Sequence, residues 1–189
     1  MGLFDGMRAN AQGRAAYAAH VRGNRAAEAG KWQEAQALHE QAMKSYEAAV
    51  QGGCGNVQYL MAYGVLLLRM RQFERARDVL RMAEKQPNLS RDDRKKLRIN
   101  YAICQWKLGE LDKAIEQLTI AGEDGKNSLI YGSLGYMLIE QGERDGDFTK
   151  ALAFNTEALD YDDEDAVVLD NMGQLHLRMG EREKARGYF

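Results

Sequence analysis

A short pattern that ends in alanine recurs along the chain. It is found as KWQEA at 31–35, QFERA at 72–76, ELDKA at 110–114, DFTKA at 147–151 and EREKA at 181–185. Repetition at periods of this length indicates a stack of similar units, each of which buries its apolar side against the next. Pro87 is the only proline, and Ala, Leu, Glu, Lys, Arg, Gln and Met are abundant, so we expect helices and few strands.

Other small residues recur at fixed distances from these alanines. A second alanine follows seven residues later, at positions 42, 83, 121 and 158. Because seven residues make about two helical turns, both alanines lie on one face, where another helix can approach closely. About a dozen residues before the first alanine stands a further small residue, Gly23, Gly64, Ala102 or Gly173, with Gly135 displaced by an insertion in the fourth unit.

A turn-forming glycine lies between the two groups of small residues in most units. The candidates are Gly30, Gly109, Gly142 or Gly146, and Gly180. Glycine readily adopts the left-handed conformation that ends a helix. Each unit is therefore predicted to be a helix, a tight turn and a second helix.

This pattern resembles the tetratricopeptide repeat (TPR), a unit of about 34 residues with small residues at its eighth, twentieth and twenty-seventh positions. The resemblance implies an all-α, right-handed superhelix and a single array over residues 1–189. Its approximate units are 8–50, 57–90, 91–127, 128–165 and a truncated 166–189.

The spacing of the repeats is uneven, which predicts insertions. The alanines at 35, 76, 114, 151 and 185 are 41, 38, 37 and 34 residues apart. We place the additional residues in loops at Gln51–Asn56, around Leu89–Arg94 and at Glu143–Gly146, which are rich in polar or turn-forming residues. Ser90, followed three residues later by Asp93, is typical of a helix cap.

Composition and charge exclude several classes of partner. The net charge is −2, the pI is near 6.0, and basic and aromatic residues do not gather on one predicted face, so we expect no nucleic-acid partner. No apolar run approaches the length of a membrane span, and we expect no membrane partner. Two cysteines outside any CxxC motif indicate a reducing compartment, so a cytoplasmic location is expected.

Catalytic and metal-binding motifs are not found. The three histidines fall in different units, and the HE dipeptide at 39–40 lacks the second histidine of a zinc-binding helix. The GGCG segment at 52–55 lacks the residues that follow in a phosphate-binding loop, although Cys54 is expected to be exposed and reactive. The acidic run at 160–165 lacks the glycine of a calcium loop. We expect no enzyme activity, no cofactor and no metal.

The resemblance also implies a binding surface, since the first helix of each TPR unit lines the concave face of the superhelix. The peptide-binding positions selected on that basis are Tyr17, Asn24, Met61, Val65, Lys96, Ile99, Ile103 and Tyr136. Other residues at the same positions in the last two units are Leu129, Glu140, Asp170, Gln174 and Arg178. An apolar strip with polar borders suits an amphipathic helix or an extended peptide.

One TPR subtype binds the acidic carboxyl termini of chaperones with five basic or amide donors. The corresponding residues here are His20, Asn24, Ala62, Lys96 and Asn100, of which only Asn24 and Lys96 fit. A carboxylate needs several charge-assisted hydrogen bonds to offset its desolvation, so acidic tails are not the expected ligand.

The sequence thus predicts a noncatalytic scaffold or adaptor that binds a protein or peptide on its concave face. Two alternatives stay open: a peptide-sensing regulatory domain of a larger protein, and a self-assembling structural module. The fifth unit stops before its second small residue. We therefore expect either a fragment of a longer array or self-association through this uncapped carboxyl-terminal end.

Overall fold

The computed structural model describes residues 3–87, 89–123 and 125–189. Within these ranges the chain has ten helices and no strand, as the composition predicts. The helices are α1 (Leu3–Glu28), α2 (Trp32–Gln51), α3 (Val57–Arg69), α4 (Phe73–Glu84), α5 (Arg91–Lys107), α6 (Leu111–Gly122), α7 (Ser128–Asp145), α8 (Thr149–Tyr161), α9 (Ala166–Arg178) and α10 (Arg182–Tyr188).

The helices form two compact units, Met1–Asn100 and Tyr101–Phe189, and the division falls within α5. In the first unit α1 packs against α2, α3 packs against α4, and the two first helices α1 and α3 also touch. In the second unit α7 and α8 form one hairpin and α9 and α10 another, while α7 contacts α9. Each unit therefore stacks helical hairpins with their first helices side by side.

The repeated alanines lie at buried positions, as their spacing predicts. The set at 35, 76, 114, 151 and 185 and the set at 42, 83, 121 and 158 are all buried. The glycines before them mark close approaches between helices. A Cβ on Gly64 would lie 2.6 Å from Leu80 Cδ2, and one on Gly173 would lie 2.5 Å from the ring of Phe189. The small residues therefore mark the helix crossings.

A common backbone turn joins the first helix to the second in all five hairpins of the described residues. Gly30, Gly109, Gly146 and Gly180 have positive φ, and the amide that follows each of them donates to a carbonyl five residues earlier. This is the hydrogen bond of a Schellman helix end. The hairpin α3–α4 makes the same bond, from Gln72 N to Leu67 O, but has Arg71 at the position with positive φ (59°).

The insertion at 143–146 is not a loop, contrary to the sequence prediction. Helix α7 continues to Asp145 and ends at Gly146, which has φ 74°. Gly142 lies inside the helix, where an added Cβ would be 2.8 Å from Phe148 Cδ1. The extra residues therefore lengthen α7, because Gly142 is needed for close packing and Gly146 supplies the left-handed residue.

Side chains cap the first helices of several hairpins. Ser90 Oγ accepts from Asp93 N and donates to Asp93 Oδ2, which confirms the cap predicted for α5. Asn56, Asn127 and Asp165 accept backbone amides at the starts of α3, α7 and α9. An amide left without its helical partner is satisfied in each case.

The alanine register can be tested on α8, which carries a buried and an exposed alanine two residues apart. Ala151 is buried and Ala153 is exposed. Ala151→Arg would overpack a helix crossing and bury a charge, so we expect it to destabilise the protein by on the order of 3–5 kcal/mol. Ala153→Arg is the control and should stay within about 0.5 kcal/mol of wild type. Equal urea midpoints for the two variants would refute the register.

The turn at Arg71 allows a stabilising substitution. An L-residue in the left-handed region is strained, and glycine is not. We expect Arg71→Gly to raise the free energy of unfolding by about 0.5–1 kcal/mol, measured by urea denaturation. Gly109→Ala places an L-residue in the left-handed region at the corresponding turn of the next hairpin. It should lower the free energy of unfolding by a similar amount. A lower stability for Arg71→Gly would contradict this account of the turn.

Candidate protein-binding surfaces

The first unit exposes an apolar face on its first helices. Tyr17 of α1 is 45% exposed, and its ring centroid lies 6.1 Å from that of Tyr59 on α3. Met61 and Val65 of α3 are half-buried. These side chains keep some accessible apolar surface, and their role in peptide binding stays a prediction.

Asn24 joins three helices of the first unit. Its Oδ1 accepts from Arg69 Nη1 of α3 and lies 3.0 Å from His39 Nε2 of α2. The Asn24 amide oxygen is therefore already engaged within the protein, because it accepts the hydrogen bond of Arg69. Asn24 therefore has a structural role, and its part in peptide binding stays a prediction.

His20 lies buried among aromatic rings at the same place. Its ring meets the rings of His39 and Tyr46 edge to face, at centroid distances of 5.7 and 6.2 Å. Burial, His39 and Arg69 lower the pKa of His20 to about 4. Burial also raises the pKa of Tyr46. His20 is therefore a neutral core residue near pH 7.

The sequence predictions on α5 have different outcomes. Ile99 is only 2% exposed, so its side chain belongs to the core and the prediction that it offers a binding surface is wrong. Lys96 is exposed and bonds Asp92, which raises the pKa of the lysine. Ile103 is half-buried.

The second unit contains a cleft of about 480 Å³ on its first helices. Trp106 of α5, the amino-terminal half of α7 and the start of α9 enclose it. Its lining residues are Trp106, Ser128, Leu129, Gly132, Ser133, Tyr136, Asp165, Val167, Asp170 and Asn171. Tyr136 was among the residues selected from the sequence, and Leu129 and Asp170 stand at positions that the TPR resemblance implied.

The aromatic wall of the cleft is held by polar contacts. Trp106 meets Tyr136 at a centroid distance of 5.5 Å and donates from Nε1 to Glu140 Oε2. Arg178 donates to the Tyr136 hydroxyl at 3.2 Å and forms an ion pair with Glu143 at 3.3 Å. Each indole or phenol thus has its polar atom satisfied while its ring borders the cleft.

Two aliphatic side chains form the opposite part of the cleft. Leu129 and Val167 are 52% and 56% exposed, although both are large and apolar. A Cβ on Gly132 would lie 2.8 Å from Val167 Cγ1, so glycine lets Val167 lie against α7. Asn171 Nδ2 donates to the Gly132 carbonyl at 2.9 Å and fixes this approach.

Trp106, Val167 and Asn171 were not selected as site residues from the sequence. Gly132 gave no signal either, because it lies outside the repeated small-residue positions. Cys54 corrects another expectation, since it is buried and its Sγ donates to Asn10 Oδ1.

Among residues 3–87, 89–123 and 125–189, no group of three or more His, Cys, Asp or Glu side chains could hold a metal ion. No helix in that part of the chain has the length and apolar character needed to cross a membrane.

Comparison with known proteins identifies the fold. No family model and no curated protein matches the sequence. Solved structures do match: YrrB, described as a TPR protein with an unusual peptide-binding site, is 17% identical with a TM-score of 0.55, covering 90% of this chain and 80% of its own. MamA is 17% identical with a TM-score of 0.61, covering 92% and 87%. The pilF protein of Pseudomonas aeruginosa is 14% identical with a TM-score of 0.59, covering 94% and 90%.

The helical hairpins, the small residues at their crossings and these likenesses define the class. The chain has the tetratricopeptide-repeat fold, an array of helical hairpins, as the sequence pattern predicted.

The buried His20 makes stability depend on pH. Its pKa is about 4 in the folded protein and about 6.5 when unfolded, so the unfolded chain binds more protons and stability falls as pH drops through this window. We expect wild type to lose roughly 1–3 kcal/mol more than His20→Phe between about pH 7.5 and 4.5 in urea denaturation. The variant keeps a ring against Tyr46. Identical losses for the two proteins would show that His20 is not the titrating group.

Proposed function

We propose that this protein is a noncatalytic scaffold that binds peptide segments of other proteins on the faces of its first helices. The observation that carries the proposal is the cleft of the second unit, where exposed Leu129 and Val167 lie with Trp106 and Tyr136. Binding sites combine apolar and aromatic walls with a few polar groups, and aromatic residues contribute much of the energy at protein interfaces.

The rigidity of the aromatic wall favours binding. Trp106 and Tyr136 are held by Glu140 and Arg178, so little side-chain freedom is lost when a ligand covers their rings. The apolar side chains of a peptide would pack on Leu129 and Val167, displacing water from surface that is exposed in the free protein.

The first unit offers a second surface for the same role. Tyr17, Met61 and Val65 supply apolar contacts there, and Lys96 and Asn24 supply polar ones. In the second unit we propose that Ile103 and Tyr136 also contact the peptide. Ile99 is buried and is not part of the proposed surface. YrrB, which shares the fold, is described as having a peptide-binding site, and this supports a peptide as the ligand.

A cytoplasmic adaptor is the setting that we propose. Cys54 and Cys104 are both buried and neither forms a disulfide, which fits a compartment that keeps thiols reduced.

The proposal can be tested by selecting binders from a random peptide library displayed on phage. Trp32→Phe is used as the background, since it leaves Trp106 as the only tryptophan. We expect selected peptides to carry apolar or aromatic anchors and to change Trp106 emission. Leu129→Ser with Val167→Ser should weaken binding of the synthetic peptides at least about tenfold.

The control removes an exposed apolar side chain elsewhere. Met82→Ser on α4 leaves the cleft intact and should not change the affinity. Failure to select any peptide, or equal affinity for the Leu129→Ser, Val167→Ser variant and wild type, would overturn the proposed function.

A further inference from the structure

The charged residues that line the cleft of the second unit are all acidic. Asp165 and Asp170 line the cleft, and the segment 160–165, DYDDED, leads directly into α9. In the part of the chain that the structure describes, none of the carboxylates of this segment or of Asp170 is in an ion pair. The negative charge at this end of the cleft is therefore not neutralised within the protein.

The neighbouring cations of the second unit are engaged elsewhere. Lys126 pairs with Glu157 at 2.6 Å, and Arg178 pairs with Glu143 at 3.3 Å. Lys107 Nζ lies 3.3 Å from the centroid of the Trp106 ring. Asp165 and Asp170 are therefore the charged residues among those that line the cleft, and neither has a cationic partner among the described residues.

Asp165 is held in place while part of it stays free. Its Oδ1 accepts from Val167 N at 2.8 Å and from Val168 N at 3.3 Å, which caps α9. Among the described residues no hydrogen bond goes to Oδ2. The carboxylate is thus oriented by the helix and keeps one oxygen for a ligand.

Asn171 supplies a neutral acceptor at the same place. It is 2% exposed and lines the cleft, and its Nδ2 is bound to the Gly132 carbonyl. Within the described structure its Oδ1 has no hydrogen-bond partner. An amide oxygen at the cleft that accepts no hydrogen bond from the described protein can accept one from a ligand.

The cleft combines an apolar wall with oxygen atoms of Asp165, Asp170 and Asn171 that can accept hydrogen bonds from a ligand. This combination indicates the chemistry of the ligand. We propose that the cleft binds a polypeptide segment in which an apolar side chain adjoins an arginine or lysine. The apolar side chain packs against Leu129, Val167 and Tyr136. The cationic group donates to Asp165, Asp170 and Asn171 Oδ1, and the rest of segment 160–165 attracts it at longer range.

An organic cation fits this site better than a metal ion. The carboxylates in the described part of the chain do not form a group that could hold a metal. Several acceptors spread along a helix start suit a guanidinium, whose donors form a wide planar fork. This inference rests on the proposed function and adds the charge of the ligand to it.

The test uses three synthetic peptides with the same leucine and phenylalanine anchors, flanked by arginine, glutamine or glutamate. Binding to the full chain with Trp32→Phe is followed by Trp106 emission. We expect the order arginine, glutamine, glutamate, and a loss of affinity for the arginine peptide as salt is raised.

Matched charge variants locate the effect. Asp170→Asn should weaken the arginine peptide about two- to fivefold and leave the glutamine peptide unchanged. Glu116→Gln removes the same charge from an exposed position on α6 and is the control. Circular dichroism and urea midpoints check that each variant is folded.

The outcomes separate the two proposals. If glutamine or glutamate peptides bind as tightly as the arginine peptide, and Leu129→Ser with Val167→Ser abolishes this binding, the charge preference is refuted and the peptide-binding cleft stands. Equal effects of Asp170→Asn and Glu116→Gln would also refute it. If no peptide changes Trp106 emission in any variant, both proposals are overturned.

Discussion

The architecture depends on close helix crossings at small residues. A helix can approach another closely only where neither carries a large side chain at the contact, and glycine or alanine meets this requirement. Gly64 beneath Leu80 and Gly173 beneath Phe189 show how little space is left at such crossings. Because the crossings are filled by backbone and small side chains, the larger residues of the first helices lie beside them, and some of these stay accessible.

The sequence predicted the parts of the fold that depend on local chemistry. Alanines seven residues apart share a helix face whatever surrounds them, and Ser90 caps a helix through residues three positions away. The insertion at 143–146 was misplaced because two glycines competed as the helix end. Their roles were decided by Phe148, which packs against Gly142, and such a contact cannot be recognised from spacing alone.

The binding surface was less predictable for a related reason. Position within a repeat indicates which face a residue occupies but does not show what covers that face. Ile99 holds a predicted contact position and is buried, whereas Tyr17 holds another and is exposed. Asn24 holds a third predicted contact position and is half-buried, and its oxygen accepts from Arg69 and lies 3.0 Å from His39 Nε2. Val167 and Asn171 line the cleft because α9 lies against α7 at Gly132. This contact cannot be predicted from the positions of the repeated small residues.

The cleft of the second unit has two chemically different ends. At its aromatic end Glu140 accepts a hydrogen bond from Trp106, and Glu143 neutralises Arg178. This end therefore offers mainly apolar surface. Its other end, at the start of α9, carries carboxylates that the described protein does not neutralise. Apolar burial contributes most to affinity, while exposed charges chiefly set orientation and the rate of encounter. The ligand that we propose, with an apolar anchor and a cation on neighbouring residues, would meet both requirements of the cleft.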